Sequence, residues 1–192
     1  NLAHGSFYMV GAYLAFSLVR ATGTLWLAIL IGLPLTMLLG LGLELAFFRP
    51  LYRRDHLYQV LLTYGLILVL EETRSILFGD DVHGVQVPAL FDFSIPLSGG
   101  LSYPAYRFVI SAICLLVALG MYLVVQRTRL GMAIRAGASD REMLESLGID
   151  GGLLFRFVLA AGLTLAAFAG MIAAPVASVF PGMGNQILIV SF

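Results

Sequence analysis

Long apolar stretches with few charged residues constrain this chain more than any other feature of its sequence. A helix needs about 20 mostly apolar residues to cross the hydrocarbon core of a bilayer, because it rises about 1.5 Å per residue. Five stretches approach this length: residues 7–19, 25–48, 57–78, 108–125 and 157–174. Only 11% of the residues are charged, whereas a soluble domain has about 25%. The sequence therefore predicts an all-α fold, a polytopic bundle of transmembrane helices.

The last apolar run is too long for one ordinary span, since it continues without a charged residue from Phe157 to the end of the chain. Residues that end or break helices interrupt it. They are Pro175, Pro181, Gly182 and Gly184. We therefore predict a helix break in this range, followed by the start of a sixth element. Irregular backbone at membrane depth persists only where protein or a water-filled cavity covers it, so we expect protein to cover the break.

The distribution of arginines predicts how the chain is oriented, because all 11 basic residues are arginines. Eight of them lie on one side: Arg49, Arg53, Arg54, Arg127, Arg129, Arg135, Arg141 and Arg156. The other side has Arg20 and Arg107, with Arg74 near the end of the third span. By the positive-inside rule, the side with eight arginines is cytoplasmic. The segment 79–104 is then external.

Composition argues against several other classes of protein. The net charge is zero, which gives no reason to expect a nucleic-acid partner. The one cysteine, Cys114, excludes an internal disulfide and any CxxC site, and we expect it to be a small buried apolar side chain. The spans contain no cluster of nucleophile, base or metal ligands, so we predict no catalytic residue, no metal site and no cofactor.

A short cytoplasmic helix is predicted between the fourth and fifth spans, from Asp140 to Leu147. Ser139 and Glu142 have the spacing of a capping box at its start. Gly148 is placed to end it in a left-handed conformation. Helices of fewer than about 12 residues are rarely stable alone in water, so this one needs a surface on which to dock.

The predicted helix has an apolar face on which it can dock. Met143, Leu144 and Leu147 share that face by their spacing of three and four. The charged residues Asp140, Arg141 and Glu145 are free to face elsewhere. The pattern fits contact with a partner protein and equally a helix that lies against the bilayer surface.

Ionisable groups at membrane depth are costly and often functional. Glu71 and Arg74 lie toward the external end of the third span and can pair at a spacing of three. A paired helix end and a role in lining a substrate path both remain open for them. His4 beside Gly5 is a weaker candidate for that path, because an interfacial histidine with satisfied hydrogen bonds explains it equally well.

Four stretches of the sequence form a pattern in a fixed order along the chain. The most informative is Thr-Arg-Leu-Gly-Met-Ala-Ile-Arg-Ala at 128–136, followed by Asp-Arg-Glu-Met at 140–143 and Leu-Gly-Ile-Asp at 147–150. The others are residues 1–13, residues 49–51 with 70–72, and residues 173–175 with 181–184. Together they extend over nearly the whole chain, and they resemble the permease family of bacterial ATP-binding-cassette importers for branched-chain amino acids.

The resemblance implies one multi-pass transmembrane permease domain in the inner membrane, from which an N-terminal span and C-terminal spans are missing. The family translocates branched-chain amino acids or related small amino acids and amides, and performs no covalent chemistry. Its implied partners are two ATPase subunits, a second permease subunit that is identical or different, and a periplasmic or extracellular substrate-binding protein. The helix from Asp140 to Leu147 would insert into a cleft of an ATPase.

Two further points follow from the residues alone. The chain has no lysine, so it cannot supply the lysine of a phosphate-binding loop, and ATP would have to bind another chain. A secondary transporter remains the alternative, since its broken helices at repeat interfaces could also explain the segment from Pro175 to Gly184.

Overall fold

The computed structural model describes residues 2–51, 54–96 and 102–191, without the side chains of residues 56, 141, 142 and 145. Its α-helices are α1 (His4–Thr22), α2 (Leu25–Leu43), α3 (His56–Phe78), α4 (Ala105–Arg127), α5 (Arg129–Ser139), α6 (Arg141–Ser146), α7 (Gly151–Ala177) and α8 (Met183–Ser191). The strands β1 (Ser94–Pro96) and β2 (Ser102–Pro104) form a small antiparallel hairpin. The prediction of an all-α membrane protein is confirmed.

Each predicted span corresponds to one of the long helices. By length and composition, three helical segments are able to cross a membrane: Leu25–Leu51, Ala105–Arg127 and Gly151–Ala177. Among the described residues, α1 and α3 are long enough to cross a membrane, but their mean hydropathy is lower than that of these three segments. Their polar content explains this, since α3 carries Glu71, Glu72 and Arg74 in its last turns.

The helix α2 continues through Pro34 and ends in irregular turns. The chain widens into a π-helical turn over Glu44–Phe48 and then tightens into a 3₁₀ turn over Arg49–Leu51. Arg53, which the sequence assigned to the cytoplasmic side, lies outside the described residues.

The chain forms two compact units. The first contains the residues up to Ala89 together with those from Ala160 onward, and the second contains Leu90–Leu159. In the first unit, α1 packs against α2, α3 and α8. Its buried side chains include Phe7, Met9 and Ala12, which are at most 1% exposed.

Small residues allow α1 and α7 to approach at the level of the backbone. A Cβ atom added to Gly170 would collide with the carbonyl oxygen of Tyr8, and one added to Gly11 would collide with the backbone of Ala167. The spacing of small residues on α7 predicts such a face. Gly162 lies on the same face of α7, since Gly162, Ala166 and Gly170 are four residues apart, but it lies beside His4 and lines a cavity.

The second unit contains the hairpin, α4, α5, α6 and the beginning of α7. The amide of Ala105 at the start of α4 donates to the carbonyl oxygen of Phe93, at 2.9 Å, and so ties the helix to the hairpin. Cys114 on α4 is exposed, which contradicts its predicted burial. In the most apolar stretch of α4, no residue is buried within this chain. The apolar side chains there are therefore available to contact lipid or another protein, and they do not form an internal core.

Candidate functional site

The segment that follows α4 is helical over most of its length. The sequence predicts only the helix from Asp140 to Leu147 between the fourth and fifth spans, but α5 also occupies Arg129–Ser139. Thr128 begins this helix, because its hydroxyl oxygen accepts the amide hydrogen of Gly131 at 3.1 Å. A threonine in this position is a common N-terminal cap, and it is the signal that the sequence analysis missed.

The cap of the short helix lies one residue later than predicted. Ser139 is the last residue of α5, and the carboxylate of Asp140 accepts the amide hydrogen of Met143 at 3.0 Å. The helix α6 therefore covers Arg141–Ser146 and is shorter than the predicted range. The capping box of Ser139 with Glu142 stays a prediction, although α5 extends through Ser139. The side chains of Arg141 and Glu142 lie outside the described set.

The three apolar residues of the short helix do not share one exposed face. Leu144 is 1% exposed, whereas Met143 is 59% and Leu147 is 68% exposed. A Cβ atom added to Gly137 would lie 3.0 Å from Leu144 Cδ2, so the glycine makes room for this leucine against α5. Leu144 is thus an internal anchor of the second unit. Met143 and Leu147 form the outward apolar pair.

Gly148 has the conformation expected of a helix terminator. Its φ is +81°, in the left-handed region where residues with a Cβ are disfavoured. The amide of Ile149 donates to the carbonyl oxygen of Leu144 at 3.4 Å, which closes the last turn. Asp150 then caps the next helix, since its carboxylate accepts the amide hydrogen of Leu153 at 3.0 Å.

The chain leaves the helical conformation between α7 and α8, and we call residues 178–182 the break segment. Pro175 does not end α7, because the helix continues through it to Ala177. Ser178 and Gly182 have φ values of 58° and 79°, and Pro181 lies between them. Gly184 is the second residue of α8. The segment lies within the range predicted for a helix break.

A backbone bridge ties the break segment to the loop after α3. The amide of His83 donates to the carbonyl oxygen of Val179 at 2.8 Å, and the amide of Val179 donates back at 2.7 Å. The His83 ring stacks on Phe16 of α1 with centroids 4.3 Å apart. Val179 itself is 0% exposed, so protein covers this part of the irregular backbone.

Arg74 is the centre of a charged cluster at the end of α3. Its guanidinium donates to Glu71 at 2.9 Å, to Asp80 at 2.9 Å and to the carbonyl oxygen of Gly79 at 2.7 Å. The Arg74 side chain is only 8% exposed. Hydrogen bonds from Arg74 and then from Ser75 hold the pKa of Asp80 below its ordinary value. The predicted pairing of Glu71 with Arg74 is present in the structure, and Asp80 is an additional partner.

Glu71 also reaches the break segment. Its Oε1 atom accepts the amide hydrogen of Gly182 at 3.1 Å, across 111 residues of sequence. Gly5 contacts the same region, because a Cβ atom added to Gly184 would lie 2.7 Å from the carbonyl oxygen of Gly5. Gly5 on α1 and Glu71 on α3 therefore both contact the chain where α8 begins.

His4 and Gly5 line a cavity of about 530 Å³ between α1, α7 and α8. Arg74 lines a separate apolar cleft of about 310 Å³ between α1, α2 and α3. Of the four residues suggested for a substrate path, His4 and Gly5 thus line one cavity and Arg74 lines the other. In the part of the chain that the structure describes, no three His, Cys, Asp or Glu residues are grouped as metal ligands.

Comparison with known proteins identifies the family. The family profile described as "Branched-chain amino acid transport system / permease component" matches residues 1–192. The chain belongs to this family. The resemblance stated from the sequence is therefore confirmed, and the helices and the break segment are those of a permease component.

Relatives of this permease occur in bacteria and archaea. The high-affinity branched-chain amino acid transport system permease protein BraD of Pseudomonas aeruginosa is 27% identical over 185 residues, which cover 90% of this chain and 60% of BraD. The LivH permease protein of Escherichia coli is 26% identical over 185 residues, which cover 90% of this chain and 59% of LivH. A probable LivH permease of Methanocaldococcus jannaschii is 27% identical over 204 residues, which cover 100% of this chain and 62% of that protein.

This permease chain spans about 60% of the length of the curated relatives that it matches. No solved structure matches it. Sequence reasoning missed Asp80 and the amide of Gly182 as partners of the Glu71–Arg74 pair. Asp80 was detectable in principle, since it follows the glycine that ends α3. The Gly182 amide was not, because a backbone group carries no signal in a sequence.

Proposed function

We propose that this chain is the membrane-spanning subunit of an ATP-binding-cassette importer. It moves branched-chain amino acids, or related small amino acids and amides, across the bacterial inner membrane. Two ATPase subunits, a second permease subunit and an external substrate-binding protein complete the transporter. Membership in a family of transport permease components supports this proposal, as does the absence of a phosphate-loop lysine from the sequence.

The observation that carries the proposal is the outward apolar pair Met143 and Leu147. Met143 lies on α6, and Leu147 lies in the turn directly after it, where its amide donates to the carbonyl oxygen of Met143 at 3.2 Å. Both side chains are mostly exposed, and their helical spacing of four puts them on one face. This helix lies in the arginine-rich region that the positive-inside rule assigns to the cytoplasm. We propose that the pair docks on a separate ATPase and that Leu144 holds α6 against α5 behind it. Movement of the ATPase is then passed to α5 and α7 through a folded element.

The double substitution Met143→Asp with Leu147→Asp tests this role. Changes at exposed positions usually alter stability by about 0.5 kcal/mol or less, so the variant should insert and fold. Burying unpaired carboxylates in a contact costs several kcal/mol, so the ATPase should be lost or uncoupled. The measurements are co-purification of the ATPase subunits and ATP-driven uptake of leucine into proteoliposomes that contain the complete transporter and its loaded binding protein.

Two control variants make the result specific. Leu90→Asp changes a leucine that is 78% exposed on the predicted external side, and it should retain wild-type coupling. Leu144→Asp changes the internal anchor and should lower the amount of folded protein. Wild-type ATPase retention and uptake in the double variant would refute docking through this pair. Uptake that follows a proton or sodium gradient and ignores ATP would instead favour a secondary transporter.

A further inference from the structure

The break segment is held at both of its ends. At Val179 the backbone bridge to His83 fixes it, with hydrogen bonds of 2.8 and 2.7 Å. At Gly182 the carboxylate of Glu71 fixes it, with a hydrogen bond of 3.1 Å. The first contact joins two stretches of irregular backbone. The second joins the segment to a long helix through the carboxyl group of a side chain that also pairs with an arginine.

Glu71 is itself held in place. The same Oε1 atom that accepts from Gly182 also accepts from Arg74 Nη2 at 2.9 Å. Arg74 is 8% exposed and is fixed further by Asp80 and by the carbonyl oxygen of Gly79. Because Asp80 already supplies Arg74 with a carboxylate, neutralising the arginine does not require Glu71. What Glu71 adds is the contact with the break segment.

The position of this carboxylate suits the beginning of a helix. Gly182 directly precedes α8, and its carbonyl oxygen accepts from the amides of Asn185 and Gln186 at 3.0 and 3.3 Å. Backbone amides at a helix start have no partner within the helix and need one elsewhere. The positive end of the helix dipole also attracts an anion. Glu71 meets both requirements from a different helix.

We propose that Glu71 is a positioning residue, which latches the break segment to α3 and so fixes the start of α8. The start of α8 then moves with α3 during the transport cycle. Close packing of Gly184 on Gly5 leaves little room for α8 to shift while the latch is closed. The consequence for transport rests on the proposed function, whereas the latch itself does not.

Thiol labelling measures the latch directly. Val179 is 0% exposed, so a Val179→Cys variant in a Cys114→Ser background should react slowly with a maleimide in the complete, purified transporter. Glu71→Ala should raise the labelling rate about tenfold, since it removes a hydrogen bond to a charged group. Glu71→Gln keeps an oxygen acceptor and should raise the rate about threefold, because neutral hydrogen bonds are weaker than charge-assisted ones. Glu72→Gln, at the exposed neighbouring residue, is the matched control and should leave the rate unchanged.

Equal labelling rates for the parent, which is Val179→Cys in the Cys114→Ser background, and for the same protein with Glu71→Gln would overturn the latch. This near-isosteric variant keeps the test decisive if Glu71→Ala fails to assemble. In the second arm, Glu71→Gln should lower the maximal rate of ATP-driven leucine uptake per folded transporter, without changing KM for the loaded binding protein. Faster labelling with an unchanged maximal rate would overturn the positioning role. If the parent shows no ATP-driven uptake, the proposed function fails, while the labelling result still decides the latch.

Discussion

The contact between α1 and α7 gives a quantitative prediction, because it depends on a glycine that has no space for a side chain. A Cβ atom at Gly170 would collide with the carbonyl oxygen of Tyr8 and lie 3.1 Å from the amide nitrogen of Ala12. Both neighbours are backbone atoms of one helix turn, so neither can rotate away. Gly170→Ala therefore has to separate the two helices.

Gly65→Ala is the matched control on α3, since a Cβ atom there meets nothing within 4 Å. Both substitutions gain about 1 kcal/mol of helix propensity, which cancels in the comparison. Overpacking a close contact costs about 1–3 kcal/mol. For a chain of about 200 residues, each kcal/mol shifts the unfolding midpoint by about 2–4 °C. We therefore expect Gly170→Ala to unfold about 2–12 °C below Gly65→Ala.

The assay is size-exclusion chromatography of the detergent-purified full-length permease after heating to a series of temperatures. Heating time is kept constant, because membrane proteins unfold irreversibly and the midpoint depends on the rate of heating. Equal midpoints for Gly170→Ala and Gly65→Ala would mean that α1 and α7 are not in backbone contact. The packing of the first unit described above would then be wrong.

Two other properties can be tested. Single cysteines at Arg135 and Asp92, in a Cys114→Ser background, should react with an impermeant thiol reagent from opposite sides of the membrane, and reaction from the same side would refute the predicted number of spans between them. Because Arg74 and Ser75 lower the pKa of Asp80, its stabilising effect is present above the unfolded pKa and is lost as pH falls through the lower folded pKa. The midpoint difference between wild type and Asp80→Asn should therefore be largest near pH 7 and shrink toward pH 3, and a constant difference would contradict this pairing.

Much of the fold was predictable, because local composition is enough to identify membrane helices. The predicted span at residues 57–78 differs by one residue from α3 (His56–Phe78), since apolar length and flanking polar residues set helix ends there. The break after α7 was also predictable, because prolines and glycines interrupt the last apolar run, but these residues did not predict its exact position. Pro175 remains helical, so the positive φ angles at Ser178 and Gly182 mark the change of direction.

The short helix shows why candidate residues were harder to assign. Spacing predicted that Met143, Leu144 and Leu147 share one face, but spacing does not show which of these residues other elements cover. Burial of Leu144 depends on α5 and on the space at Gly137, and α5 was not predicted. The cap formed by Asp140 was not predicted for the same reason, since α5 extends through Ser139.

The sequence by itself determined that this chain is an α-helical membrane permease component, because low charge, apolar length and a family pattern spread over nearly all residues are local properties. Only the tertiary structure decided which side chains could act. It buried Leu144, exposed Met143 and Leu147, and brought Glu71 to a backbone amide 111 residues away. The physical reason is that burial and hydrogen bonding of a given group depend on neighbours from distant segments, and their positions are set only when the helices pack.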